Sequence, residues 1–186
     1  MDKRVQPGEV LAAFCCLDEE RKYKPKDISR KGRELLAYAL NTHFGISEDP
    51  LEIGNRERGK PYLLKHPEIE FNISHSGRYV LVALAHEAVG ADVQEIEDRE
   101  LDSLAKHVCS PDELRAYNES GDKADYFFRL WVRKEAYIKW TGDGLYRELK
   151  TIPFDGWFQF LDIDPAYCAG VHAARPLTVR LEEVDL

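Results

Sequence analysis

Apolar and polar positions change period several times along the chain, and each change predicts an element. Residues 10–17 (VLAAFCCL) are a short unbroken apolar run between charge and turn signals, the pattern of a buried strand. Residues 29–44 switch to helical spacing, with Leu35, Leu36, Ala39 and Leu40 on one face, Asp27 or Ser29 as cap and Gly45 as stop. Residues 48–58 hold Pro50 and Gly54 and read as loop, with a short strand at 51–53. Residues 71–85 read as two strands joined by a polar turn in which Ser74, His75 and Ser76 satisfy backbone groups. Residues 89–96 alternate as a strand, with Val89, Ala91 and Val93 on one side and Gly90, Asp92 and Gln94 on the other. Short helices are expected at 101–108 and 111–117, and strands at 149–151, 157–161 and 177–184.

The dominant stretch is residues 126–145, a helix ending in a glycine-bearing loop. Phe127, Leu130, Trp131 and Ile138 supply its expected buried stripe, and Gly142 its stop. Glu135 and Lys139 are four apart and share a face. Such a pair is ordinarily a surface ion pair; among bulky aromatics and beside a Gly-x-Gly loop it can instead hold a metal and a phosphate together. Asp92, inside an otherwise apolar strand, either faces water from an edge strand or needs a buried partner. The strand–helix rhythm repeats in each half, which predicts an α+β fold of two small subdomains meeting at a cleft, with the changeover near residues 86–90.

Composition narrows the function classes. A formal net charge of −8 argues against general nucleic-acid binding, so a phosphate ligand needs a local basic pocket. Arg21, Lys22, Lys24 and Lys26 supply one candidate cluster, and Gly59-Lys60-Pro61 presents Lys60 from a rigid turn. Cys15, Cys16, Cys109 and Cys168 form no C-x-x-C pair, which favours a reduced, cytoplasmic setting. No apolar run reaches the roughly 18 residues that span a membrane, and residues 1–9 do not read as a signal peptide.

Four pieces stand in order: GKP (59–61), FNISHSG (71–77), VGADV (89–93) and FFRLWVRKEAYIKWTGDGL (127–145). Together they resemble the 4'-phosphopantetheinyl transferase superfamily, surfactin-synthetase-activating type, over residues 18–155. The resemblance implies two similar α+β halves related by a pseudo-two-fold, with the active site in the cleft between them. It implies residues 1–88 as the subdomain holding the nucleotide end of coenzyme A and 89–186 as the one carrying the metal and the catalytic helix. It implies a magnesium-dependent transfer of the phosphopantetheine arm of coenzyme A to a serine of an acyl or peptidyl carrier protein.

By match to the motifs, Asp92 and Glu135 are the implied magnesium carboxylates, and Lys139 the phosphate contact. Lys60 and His75, with Ser74, are implied to hold the nucleotide end, and Arg21 or Lys22 the 3'-phosphate. The pattern has an acid two residues after the strand Asp. Here that residue is Gln94, whose amide oxygen is expected to reach the metal directly or through water. Glu135 is also a candidate base. Arg129, Arg133 and Lys134, with Tyr126, Phe127 and segment 97–121, are the expected carrier-docking surface. A monomer is the simplest expectation, with neither nucleic acid nor membrane as partner. The alternative is a weakened relative that binds carrier protein or coenzyme A without transfer; an unrelated magnesium phosphohydrolase finds no site for its water nucleophile.

Overall fold

The chain buries a run of residues on both faces at β1 (Glu9–Cys16) and again at β5 (Tyr79–Ala85), and these two strands form the middle of the larger sheet. The computed structural model describes residues 4–18, 21–97, 100–144 and 147–186. Leu145, at the end of the long motif, lies outside the described residues, as do Glu19, Glu20, Asp98 and Arg99 in the charged segments. Between β1 and β5 come α1 (Pro25–Phe44), β2 (Ile53–Asn55), β3 (Pro61–Leu63) and β4 (Glu70–Ser76). After β5 come β6 (Val89–Glu95), α2 (Asp102–Val108), α3 (Pro111–Glu119), α4 (Lys123–Thr141), β7 (Trp157–Leu161), β8 (Tyr167–Ala173) and β9 (Thr178–Glu183). The α+β class is the expected one.

Four layers result. The first sheet has the order β4-β5-β1-β9 and the second the order β6-β8-β7, while β2 and β3 pair separately. Leu11, Ala13, Cys15, Val80, Val82 and Leu84 pack against α1 on one face of the first sheet. Val10, Ala12, Phe14, Leu81 and Ala83 face Val89, Ala91, Val93, Ala169 and Val171 of the second sheet, so a shared core joins the two. Alternation along each strand divides the layers. Strands buried on both faces read as continuous apolar runs, which is why β1 and β5 are legible in the sequence. The C-terminal strand β9 returns to pair in parallel with β1 of the first sheet.

The fourth layer is α4, which lies along β6 and β8. Gly90 permits this: a Cβ there would sit 2.1 Å from the Ala136 carbonyl oxygen and 2.3 Å from the Trp140 nitrogen. Both obstacles are helix backbone, so no side-chain rotation relieves them. Beside this contact, His172 of β8 stacks on Trp140 with ring centroids 4.8 Å apart and meets Tyr137 edge-on at 5.1 Å.

Several local expectations need correction. Helix α1 starts four residues early, at Pro25, because Pro suits the first helical position and the Asp27 carboxylate accepts from the Lys24 N–H at 3.1 Å. Ser74, His75 and Ser76 lie in β4, not in the turn, which is Gly77-Arg78. The strand expected at 51–53 begins only at Ile53, and β3 and β8 are additional to the expected strands. Residues 149–151 form a 3₁₀ turn. The buried stripe of α4 runs through Phe127, Phe128, Val132, Lys134, Ala136, Tyr137 and Ile138, with Leu130 and Trp131 half-buried. All four cysteines are unpaired thiols.

Two outcomes test this packing. Gly90→Ala is expected to destabilise the fold by more than the roughly 1–3 kcal/mol of ordinary overpacking, read by denaturant unfolding. Burial holds the His172 imidazole down to about 4, from 6.5. The unfolded chain therefore binds the extra proton first, and stability falls as pH drops from 6.5 towards 4. His172→Phe should flatten unfolding midpoints across that window.

Candidate active site

Asp92 sits in the middle of β6 on the face turned to α4, and it is 1% exposed. A buried carboxylate must be compensated. Its Oδ1 accepts from Ser74 Oγ at 2.7 Å and from Lys139 Nζ at 2.5 Å, and its Oδ2 accepts from Gln94 Nε2 at 3.1 Å. Strand β6 is an edge strand in its own sheet, yet water does not reach Asp92, because β4 covers that edge with side chains. Ala91 N–H donates to Asn72 Oδ1 at 3.0 Å, Val93 N–H to Ser74 Oγ at 3.3 Å, and Glu95 N–H to Ser76 Oγ at 2.9 Å. Alternate polar residues of β4 thus stand in for a neighbouring strand's carbonyls.

Helix α4 brings the other two groups. Glu135 and Lys139 lie one turn apart, above Gly90 and Asp92. Burial and the Asp92 charge both raise the Glu135 carboxyl above its usual range, and Lys139 opposes them. Two carboxylates from facing elements therefore repel in a half-buried place beside a single ammonium. That donor set is all oxygen, and a small hard cation would relieve the repulsion, so the residues fit magnesium. Among the described residues no group of three or more His, Cys, Asp and Glu is assembled for a metal. A cation here would rest on Asp92 and Glu135.

Other expected site residues fall elsewhere. Asp92, Glu135, Lys139, Ser74 and Gln94 come together. His75 is exposed on the opposite side of β4 from Ser74, in register with Val80 and through it with Cys15, on the α1 side of the sheet. Arg21 and Lys22 are exposed before α1, with the Arg21 guanidinium 5.1 Å from the Tyr23 ring centroid.

Lys60 lies in the β2–β3 loop, as expected, but it turns inward instead of toward solvent. Its side chain is 7% exposed, and Nζ donates to Val89 O at 3.1 Å and Trp140 O at 3.0 Å, with Glu70 at 3.6 Å. The ammonium caps the carbonyl end of α4 and ties it to the start of β6. Burial pulls its pKa below the ordinary lysine value, against Glu70. Lys134 is 0% exposed and cannot belong to a docking surface: it donates to Val108 O, Leu149 O and Glu113 Oε2, clamping α2, α3 and α4 together. Phe127 is likewise buried, while exposed Arg129 lies over the Phe160 ring. The Gln94 amide, expected to offer its oxygen to a metal, turns its nitrogen to Asp92 Oδ2, and the brace formed by Asn72 and Ser76 is absent from the expected site. Its signal in the sequence is the polar residue at every second position of 72–76.

A buried strand carboxylate on β6 thus faces a Glu-x-x-x-Lys pair on α4. A family profile described as 4'-phosphopantetheinyl transferase superfamily matches residues 88–165, and one described as 4'-phosphopantetheinyl transferase, N-terminal, matches residues 14–87. The chain is 31% identical over 168 residues to a 4'-phosphopantetheinyl transferase of Bacillus subtilis, covering 84% of this chain and 72% of that protein. It is 28% identical to the 4'-phosphopantetheinyl transferase Sfp of Bacillus subtilis (strain 168), covering 84% and 79%. It is 34% identical to the 4'-phosphopantetheinyl transferase HetI of a Nostoc species, covering 78% and 67%. The chain belongs to the 4'-phosphopantetheinyl transferase superfamily.

The strut assignment of Lys60 is testable. Lys60→Met leaves two carbonyls without a donor and should cost about 1–3 kcal/mol of unfolding free energy, read in urea. An unchanged urea midpoint with a raised coenzyme A requirement would return Lys60 to the role of ligand.

Proposed function

We propose that this chain moves the 4'-phosphopantetheine arm of coenzyme A onto a serine of an acyl or peptidyl carrier protein, releasing adenosine 3',5'-bisphosphate. The observation that carries this reading is the convergence of Asp92 from β6 with Glu135 and Lys139 from α4. In this proposal Asp92 and Glu135 hold magnesium, which when bound supplies charge neutralisation on the diphosphate.

The chain's own groups do the remaining work. The serine oxygen attacks the β-phosphorus, and the bond to the oxygen bridging the two phosphorus atoms breaks. Lys139 Nζ, one turn beyond Glu135, adds a cation for the phosphate oxygens as negative charge shifts to the leaving group. The Glu135 carboxylate accepts the serine proton, from a position one turn before Lys139 on the same helix face. Ser74 and Gln94 keep Asp92 in place. The nucleotide end of coenzyme A is assigned to the α1 side of the first sheet, where His75 stands exposed and Arg21 and Lys22 precede α1. In this division residues 1–88 serve the nucleotide and residues 89–186 the reacting centre. The chain acts as a cytoplasmic monomer, and among the described residues no helix is long and apolar enough to cross a membrane.

Carrier docking is assigned to Arg129 and the exposed face of α2 and α3, without Lys134. Incubation with coenzyme A, magnesium and an apo carrier protein should add about 340 Da to the carrier by mass spectrometry. An unmodified carrier would favour the binder, and coenzyme A consumed without carrier would favour a hydrolase. Glu135→Gln is expected to lower turnover by about 10²–10⁴-fold in the same assay, with the fold intact.

A further inference from the structure

On the side away from β6, the second sheet ends in β7, and among the described residues no strand pairs with its outer edge. An open edge presents unpaired backbone N–H and C=O groups that a further strand can take up. Phe158 and Phe160 of β7 turn towards α4, with their rings edge-on at 4.8 Å. The Arg129 guanidinium lies 3.9 Å from the Phe160 ring centroid, and that of Arg133 lies 4.1 Å from Phe154 and 5.9 Å from Phe158. Phe154 itself is 41% exposed.

These two guanidiniums differ from others in the chain. Arg56, Arg58, Arg147 and Arg175 each have a carboxylate within 4.0 Å. Among the described residues Arg129 and Arg133 have none, although the formal net charge is −8. Stacking on a ring engages the face of a guanidinium and leaves its in-plane N–H donors for an acceptor. Four helical residues set the two arginines about 6 Å apart along α4, and alternate residues of a strand are about 6.6 Å apart. A strand added to β7 therefore brings the side chains on its α4 side into step with the two guanidiniums. We infer that the outer edge of β7 is a docking site for an extended acidic segment of a partner protein. Its backbone pairs with β7, and its acidic side chains, at alternate positions, meet Arg129 and Arg133. Arg133 and Glu135 are two residues apart, about 200° round the helix, so this segment is separate from the serine brought to Glu135. Arg129 stands where this edge meets the face assigned to the carrier.

A short fluorescein-labelled peptide of alternating Glu and Val is titrated with the full chain and read by fluorescence anisotropy. The readout needs neither coenzyme A nor carrier, so it is decided apart from the transfer reading. Saturable binding is expected, weakened at least about tenfold by Arg133→Glu and by Arg129→Glu. Arg129 is exposed, so Arg129→Glu carries the test if Arg133→Glu does not fold. Two further peptides are N-methylated, one at every Glu and one at every Val. Successive N–H groups of a strand point to opposite edges, so at least one of these peptides should lose about tenfold in affinity. Four results would each overturn the inference: no saturable binding to the wild-type chain, undiminished binding to the folded arginine variants, undiminished binding of both methylated peptides, or equal binding of an alternating Lys and Val peptide.

Discussion

Burying an ionised carboxylate is among the most expensive things a fold can do, and Asp92 is a fully buried one. The surroundings of Asp92 offset that cost from three directions: a hydroxyl from β4, an amide from its own strand and an ammonium from α4. Each donor is in reach only because of a backbone arrangement elsewhere. The β4 side chains cover the open edge of β6, and the absence of a side chain at Gly90 lets α4 lie directly on the strand. Losing the Lys139 ammonium would leave a charge in the interior without its counterpart, which is far costlier than losing a surface pair.

The same arrangement explains why the two halves behave as one unit at the site. The sheets share an apolar core through β1, β5, β6 and β8, and β9 brings the end of the chain back to the first sheet. Lys60 adds a polar strut from the β2–β3 hairpin to the last turn of α4, and Lys134 fixes α2 and α3 to the same helix from the opposite side. Two lysines that resemble ligand and docking groups in the sequence are interior fasteners, each with its donors directed at carbonyls and a carboxylate. Helix α4 is held at both flanks, so Glu135 and Lys139 are presented from a rigid element, which favours preorganised electrostatics.

Much of this arrangement is legible in the amino-acid sequence. Strands buried on both faces leave unbroken apolar runs, as at 10–17 and 79–85, and the alternation at 89–95 puts Asp92 on the face opposite Val89, Ala91 and Val93. The spacing of Glu135 and Lys139 states their common face outright. What stays hidden depends on tertiary neighbours. Strand β8 is interrupted by Gly170 and His172, residues accommodated by the Phe158 ring and by Trp140 respectively, so its sequence lacks a clean period. Whether a lysine points to solvent or inward is decided by which carbonyls lie nearby, and no local pattern around Lys60 or Lys134 encodes that. His75 and Ser74 are adjacent in sequence yet face opposite sides of β4, a consequence of strand geometry that a turn assignment for these residues conceals.

The central claim is that a strand carboxylate and a helix carboxylate, brought together by α4 lying on β6, hold one divalent cation between them. Titration of manganese into the protein with coenzyme A present, followed by the loss of the free-ion paramagnetic signal, measures this directly. The account predicts one bound ion in the wild-type chain, with affinity weakened at least about tenfold by Asp92→Asn and likewise by Glu135→Gln. Undiminished binding in either folded variant would contradict it.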